Sequence, residues 1–201
     1  VTKTIDFIFD FGSPNAYLAD TVLKEISART GAVVRRIPCL LGGIFKLTGN
    51  QAPMLAFGPI KGKMAYEMLE TQRFIKAHGL TRFRMNPHFP VNTLAIMRGM
   101  VAAEDLGVVE PYVAAVLKAM WEDGLKMDDP AVIGQVLTGA GLDAAAIFEA
   151  SQSQPVKDRL VANTAAAVDR GAFGIPTFYV GDEMFFGKER LGQIEALLNK
   201  G

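Results

Sequence analysis

Strand signals occur only near the two ends of this 201-residue chain, and the long middle carries helical periodicity. Residues 4–9 (Thr-Ile-Asp-Phe-Ile-Phe) form a short β-branched and aromatic run with Ile5, Phe7 and Phe9 on one face, which predicts a strand. Ser13 then suits an N-cap, and Pro14 suits the first helical position, where a missing N–H is harmless. Ala16, Tyr17, Ala19, Val22, Leu23 and Ile26 recur at helical spacing until Gly31. Residues 33–37 read as a second strand, followed by a Gly-rich loop around Gly42-Gly43 and Gly49-Asn50. Candidate helices then cover 63–78, 93–106, 111–123, 130–138 and 155–170, several led by Pro near the first turn. Strands return at 177–180 and 184–186 around a Gly181-Asp182 turn, and 189–198 is a closing helix. The order β-α-β, helical block, β-β-α predicts an α/β fold: a core of residues 1–60 and 171–201 with an all-helical insertion at 61–170.

Apolar residues make up 50% of the chain, enough for a substantial core. Lys and Arg number 21, as do Asp and Glu, so the formal net charge is zero. That balance argues against nucleic acid or an anionic membrane as the main partner. Residues 1–6 lack a basic segment leading into an apolar stretch, and no uncharged apolar run of about 18 residues occurs. A single cysteine, Cys39, allows no internal disulfide and fits a reducing compartment. The expectation is a cytoplasmic protein, with an organelle left open because a targeting segment can be removed.

Several conspicuous residues have ordinary explanations. The two histidines lack metal-ligand spacing and Cys39 has no cysteine partner, so no metal site is expected. Cys39 reads as a small buried apolar residue, and His78 as a partner of a helix C-terminus. Gly139-Ala140-Gly141-Leu142 mimics a dinucleotide loop but follows no strand. Asp128-Asp129-Pro130 is a helix start, and Trp121 and the methionines fill core or interface.

Two features admit two readings each. Ser13 alone is most economically a helix cap, contributing about 1 kcal/mol. Its alternative is a hydroxyl and a helix N-terminus aimed together at an anionic group. Pro176 is either the start of a strand or the second half of a cis peptide. In the cis form, the Ile175 N–H and C=O are left for a peptide-like ligand.

Five segments in order carry a family resemblance. They are Phe11-Gly12-Ser13-Pro14-Asn15-Ala16-Tyr17-Leu18; Leu41-Gly42-Gly43-Ile44-Phe45-Lys46 with Gly49-Asn50; Asn86-Pro87-His88-Phe89-Pro90-Val91-Asn92-Thr93; Gly174-Ile175-Pro176-Thr177-Phe178; and Phe186-Gly187-Lys188-Glu189-Arg190-Leu191. On these the chain resembles the 2-hydroxychromene-2-carboxylate isomerases and, more broadly, the kappa-class glutathione transferases, relatives of the DsbA-type disulfide oxidoreductases. The resemblance spans nearly the whole chain and implies a thioredoxin-like core. Ser13 stands where thiol-handling relatives carry a reactive cysteine, which implies a sulfur supplied by a ligand, glutathione.

Carried over by position, the resemblance makes Ser13 the catalytic residue that holds the glutathione sulfur. Asn50 meets the cysteinyl-glycine part, and Ile175 beside Pro176 pairs with the tripeptide backbone. Gly187, Lys188, Glu189 and Arg190 receive the γ-glutamyl end, in keeping with the affinity of helix N-termini for anions. Lys46, His88 and Asn92 line the pocket of a small aromatic substrate, although Lys46 alone reads as a solvated charge and Asn92 equally as a cap. Arg84 and Arg98 join Lys46 as candidate partners of a substrate carboxylate. Two departures stand out: Glu189-Arg190 where the family has Asp-Arg, and Asn15 where an aromatic residue is common.

A thiol ionises near pH 8.5, so lowering it by two units requires about 2.7 kcal/mol. One hydrogen bond to the charged form supplies about 1.5–3 kcal/mol and a helix N-terminus roughly 0.3–1 kcal/mol. The implied activity is glutathione-dependent cis–trans isomerisation between 2-hydroxychromene-2-carboxylate and trans-o-hydroxybenzylidenepyruvate by a homodimer, in aromatic-hydrocarbon catabolism. A kappa-type transferase or peroxidase is the first rival, and a non-catalytic thioredoxin-like binding module the second.

Overall fold

The computed structural model describes residues 3–200. Strands β1 (Thr4–Phe9), β2 (Val33–Pro38), β3 (Thr177–Val180) and β4 (Glu183–Phe186) form one sheet in the order β2-β1-β3-β4. β1 runs parallel to β2, with Thr4 opposite Val33 and Phe9 opposite Pro38. It runs antiparallel to β3, where Phe7 faces Phe178. The parallel pair needs a crossover, supplied by helix α1 (Pro14–Thr30). As the central strand, β1 buries Phe7 and Ile8 on opposite faces, so both sides of the sheet are covered. Phe7, Phe9, Phe11 and Phe178 pack ring against ring with centroids 4.9–5.3 Å apart.

Between β2 and β3 lie α2 (Leu41–Thr48), α3 (Pro53–Phe57), α4 (Lys63–Ala77), α5 (Leu94–Asp105), α6 (Val109–Trp121), α7 (Pro130–Gly139), α8 (Ala144–Ser151) and α9 (Gln154–Asp169). A 3₁₀ turn at Lys188–Arg190 precedes α10 (Leu191–Asn199), which packs on α1. α9 packs against β2, α2 and α5. Its Asn163 Nδ2 donates to the Pro38 carbonyl at 3.2 Å, locking the helix to the end of β2. Among the described residues, no helix is long and apolar enough to cross a membrane.

The expected Gly-rich loop at Gly42-Gly43 is a helix instead. Each glycine weakens a helix by roughly 1 kcal/mol, which is why the pattern reads as a loop. Tertiary contacts reverse that preference. Ile44 is wholly buried, and Gly43 lies so close to α9 that a Cβ there would meet the Thr164 methyl at 3.0 Å. α3 and α8 are additional helices, begun by Pro53 and by Asp143, whose carboxylate accepts from the Ala146 N–H at 3.0 Å. The closing helix is the 3₁₀ turn followed by α10, not one element.

Candidate functional site

β1 runs straight into the loop that carries Asp10, Gly12 and Ser13. Ser13 caps α1: its Oγ accepts from the Ala16 N–H at 3.2 Å, with the backbone extended at φ −93° and ψ 114°. The same hydroxyl donates to the Ile175 carbonyl at 3.1 Å, and Ser13 is 4% exposed. The Ile175-Pro176 peptide is cis. Ser13 is therefore a cap, its first reading, and its hydroxyl also faces the proline loop.

The rest of the strip is connected by hydrogen bonds. Pro176 gives its carbonyl to the Gly187 N–H at 3.0 Å, and Gly187 has φ +95°, a conformation open to glycine. Asn50, placed by Gly49 at the end of α2, donates Nδ2 to the Phe173 carbonyl at 2.7 Å, two residues before Ile175. Among the described residues, the Ile175 N–H has no acceptor. Ser13, Asn50, Ile175, Pro176 and Gly187 are thus brought together.

The remaining candidates differ in burial and in partners. Lys188 is buried and donates Nζ to Glu189 Oε1 at 2.5 Å, with its ammonium 5.5 Å from the Phe74 ring centre. Both face a cavity of about 220 Å³ lined also by Val22, Ile26 and His78, beside the second half of α1. Arg190 is exposed and bonds its N–H to the Gly187 carbonyl at 3.1 Å. Lys46 is exposed in the last turn of α2, and His88 is exposed, with its backbone N–H held by Asn86 Oδ1 at 2.8 Å. Asn92 accepts from the Leu94 N–H at 3.1 Å, its capping reading. Arg84 is exposed and Arg98 half-buried.

Three residues that support the site were not among its sequence candidates. Asp10, 1% exposed, accepts from the Gly12 N–H and the Leu41 N–H, both at 2.8 Å. Burial raises its pKa, while those donors oppose the rise. Trp121 Nε1 donates to the Phe11 carbonyl at 2.9 Å, fastening α6 to the Ser13 loop. Thr164 Oγ1 accepts from the Leu40 N–H at 3.0 Å. One signal was available: Asp10 sits between Phe9 and Phe11, and a carboxylate in an apolar run must find donors.

The chain's own thiol takes no part. Cys39 is fully buried, and burial, with the Asp10 charge adding to it, pushes its pKa up to about 12. The arrangement offers a hydroxyl donor at the start of a 17-residue helix, next to an open peptide N–H. That combination suits an anionic atom carried by a peptide-like ligand.

The sequence profile described as "DSBA-like thioredoxin domain" matches residues 4–199. A 2-hydroxychromene-2-carboxylate isomerase of Pseudomonas putida is 28% identical over 198 residues, covering 98% of this chain and 94% of that one. Glutathione S-transferase kappa 1 of Homo sapiens is 25% identical over 216 residues, covering 98% of this chain and 92% of that one. A solved 2-hydroxychromene-2-carboxylate isomerase structure superimposes with a TM-score of 0.82 at 28% identity, covering 98% of this chain and 95% of that chain.

Proposed function

The chain belongs to the DsbA-like thioredoxin domain family, and from that premise we propose that it is a glutathione-dependent isomerase. Its substrate would be 2-hydroxychromene-2-carboxylate, as the names of the isomerase relatives suggest, in exchange with trans-o-hydroxybenzylidenepyruvate. The observation that carries the reading is the Ser13 hydroxyl at the N-terminus of α1, 3.1 Å from the Ile175 carbonyl.

The residues present fit a bound tripeptide thiol. The unpaired Ile175 N–H would take a carbonyl of the ligand's own backbone. Asn50 would hold the cysteinyl-glycine part, and Gly187, Lys188, Glu189 and Arg190 the γ-glutamyl end. When bound, glutathione supplies a thiolate that adds reversibly to the substrate and makes its double bond rotatable. Ser13 would turn its O–H to that sulfur, and the α1 N-terminus would favour its negative charge. A thiol that must both attack and leave works best with a pKa near ambient pH, so one modest donor suits the task. Lys46, Arg84 and Arg98 are the cations available to a substrate carboxylate, with His88 and Asn92 on the pocket wall. The same reading makes the protein a cytoplasmic homodimer.

Thermal unfolding with glutathione is the first test. Ligand at one hundred times its dissociation constant adds about 2.7 kcal/mol, and no shift at millimolar glutathione would overturn the proposal. Turnover of the chromene without consumption of glutathione is the expected second result. A second reading, a kappa-type transferase, is favoured by the human relative. Formation of a stable glutathione conjugate from an aryl halide, with no chromene turnover, would select it.

A further inference from the structure

Two separate loops end on one carboxylate, and a third packs beside it. Asp10 Oδ1 takes the N–H of Gly12, the residue before Ser13, at 2.8 Å. Oδ2 takes the N–H of Leu41 at 2.8 Å, where α2 begins its run to Asn50. Thr93, which closes the loop carrying His88 and Asn92, is buried and packs against Gly12 beside the same group.

Two of the helices involved begin without a capping side chain at the N-cap position. Leu40, at the N-cap of α2, has no capping side chain, so the carboxylate caps that helix from outside. Thr93, at the N-cap of α5, does not cap α5, and Asn92 Oδ1 takes the Leu94 N–H in its place. The packing is as tight as the bonding. A Cβ at Gly12 would stand 3.1 Å from the Thr93 methyl and 3.4 Å from Asp10 Oδ1. The Ser13 N–H, finally, bonds the Asp10 backbone carbonyl at 3.2 Å.

We infer that Asp10 is a positioning residue for the site: its carboxylate sets the Ser13 loop, the α2 segment leading to Asn50 and the start of α5 in mutual register. It touches no ligand and acts through its two hydrogen bonds and the packing of Thr93 beside them. The glutathione half of the test rests on the function proposed above; the amide half does not.

Asp10→Asn keeps the shape but turns an NH₂ toward one of the two backbone N–H donors. Leu137→Ala, a fully buried core truncation in α7, serves as the comparison for general destabilisation. In Asp10→Asn, amide exchange at Gly12, Ser13 and Leu41 should quicken about tenfold or more beyond that in Leu137→Ala, and the glutathione dissociation constant should rise about tenfold. Leu137→Ala should melt earlier yet bind glutathione within about twofold of the parent protein, since its site contacts are intact. Equal amide exchange in the two variants would overturn the inference. So would unchanged glutathione affinity in Asp10→Asn when the parent protein binds. If the parent protein binds no glutathione, faster exchange confined to Asp10→Asn upholds the positioning role while the glutathione reading falls. Should Asp10→Asn fail to fold, Asp10→Ser leaves one hydroxyl oxygen in place of the two carboxylate oxygens that take the Gly12 and Leu41 N–H groups. It should loosen the Gly12 and Leu41 amides about threefold, and unchanged exchange there would refute the role.

Discussion

Ser13 has two duties in the structure, and substituting it in two ways separates them. Ser13→Ala removes the acceptor for the Ala16 N–H, at about 1 kcal/mol. It also removes the donor to the Ile175 carbonyl, worth about 0.5–1.5 kcal/mol. The variant should therefore lose about 1.5–2.5 kcal/mol of stability. Ser13→Gly loses the same donor but only a few tenths of a kcal/mol of the cap, so it should melt above the alanine variant.

The effect on a bound thiol follows from counting protons. A hydroxyl has one, and in the structure it is already committed to Ile175. Serving a thiolate means exchanging a neutral bond for a charge-assisted one, a net gain of about 1–1.5 kcal/mol, or roughly one pKa unit. The two-unit shift reckoned for the sequence in isolation shrinks to about one, with the helix N-terminus adding a few tenths. Titrating the ultraviolet absorbance of the thiolate in the glutathione complex should show both variants about one unit above the parent protein, with turnover near neutral pH about tenfold lower. If Ser13→Gly restored the thiol pKa, the cap and not the hydroxyl would be responsible. If neither variant moved it, the reasoning would fail outright.

Other contacts in the structure have equally testable consequences. Asn50→Ala breaks the link to the Phe173 carbonyl and should raise the glutathione KM several-fold, with stability changed by about 1 kcal/mol or less; an unchanged KM would remove Asn50 from the site. Gly99→Ala drives a Cβ into the Tyr112 hydroxyl, which bonds the Ile96 carbonyl at 2.8 Å, and should cost about 1–3 kcal/mol in urea unfolding. A neutral result would show that Tyr112 moves freely. Cys39 has a folded pKa raised to about 12, so its contribution to stability is complete below the unfolded value and declines as pH rises towards 12. Between about pH 8.5 and 10 the parent protein should therefore lose about 2 kcal/mol more than Cys39→Ala, and equal losses would count against a protonated buried thiol.

The parts of the fold that are legible in sequence are those fixed by neighbours along the chain. β3 at Thr177–Val180 and the N-terminus of α1 fall where the alternation of Phe178 and the Ser13-Pro14 pair put them. α8 was not among the expected helices, although Asp143 precedes a run of three alanines. α2 was not, because its two glycines speak against a helix. What outweighs them comes from far away in sequence: Asp10 and Thr164 satisfy the amides at its start, and α9 packs against Gly43.

The site divides along the same line. Ser13, Asn50, Ile175 and Gly187 were visible as residue types in short motifs, and the structure joins them through backbone carbonyls at Ile175, Phe173 and Pro176. A motif can name Ser13 and Asn50, but it cannot show that their partners are main-chain atoms of a loop more than a hundred residues away. Lys188 makes the converse point. As a cation beside Gly187 it reads like an anion receptor, yet its ammonium is buried against Glu189 and Phe74. To receive a ligand carboxylate it would have to leave that pair, and an ammonium already neutralised in a buried setting offers less than a free one. The backbone of the turn beginning at Gly187, already fixed to Pro176, is therefore the better prepared half of that subsite. Replacing Lys188 with Met should weaken glutathione binding far less than altering the Gly187 backbone would.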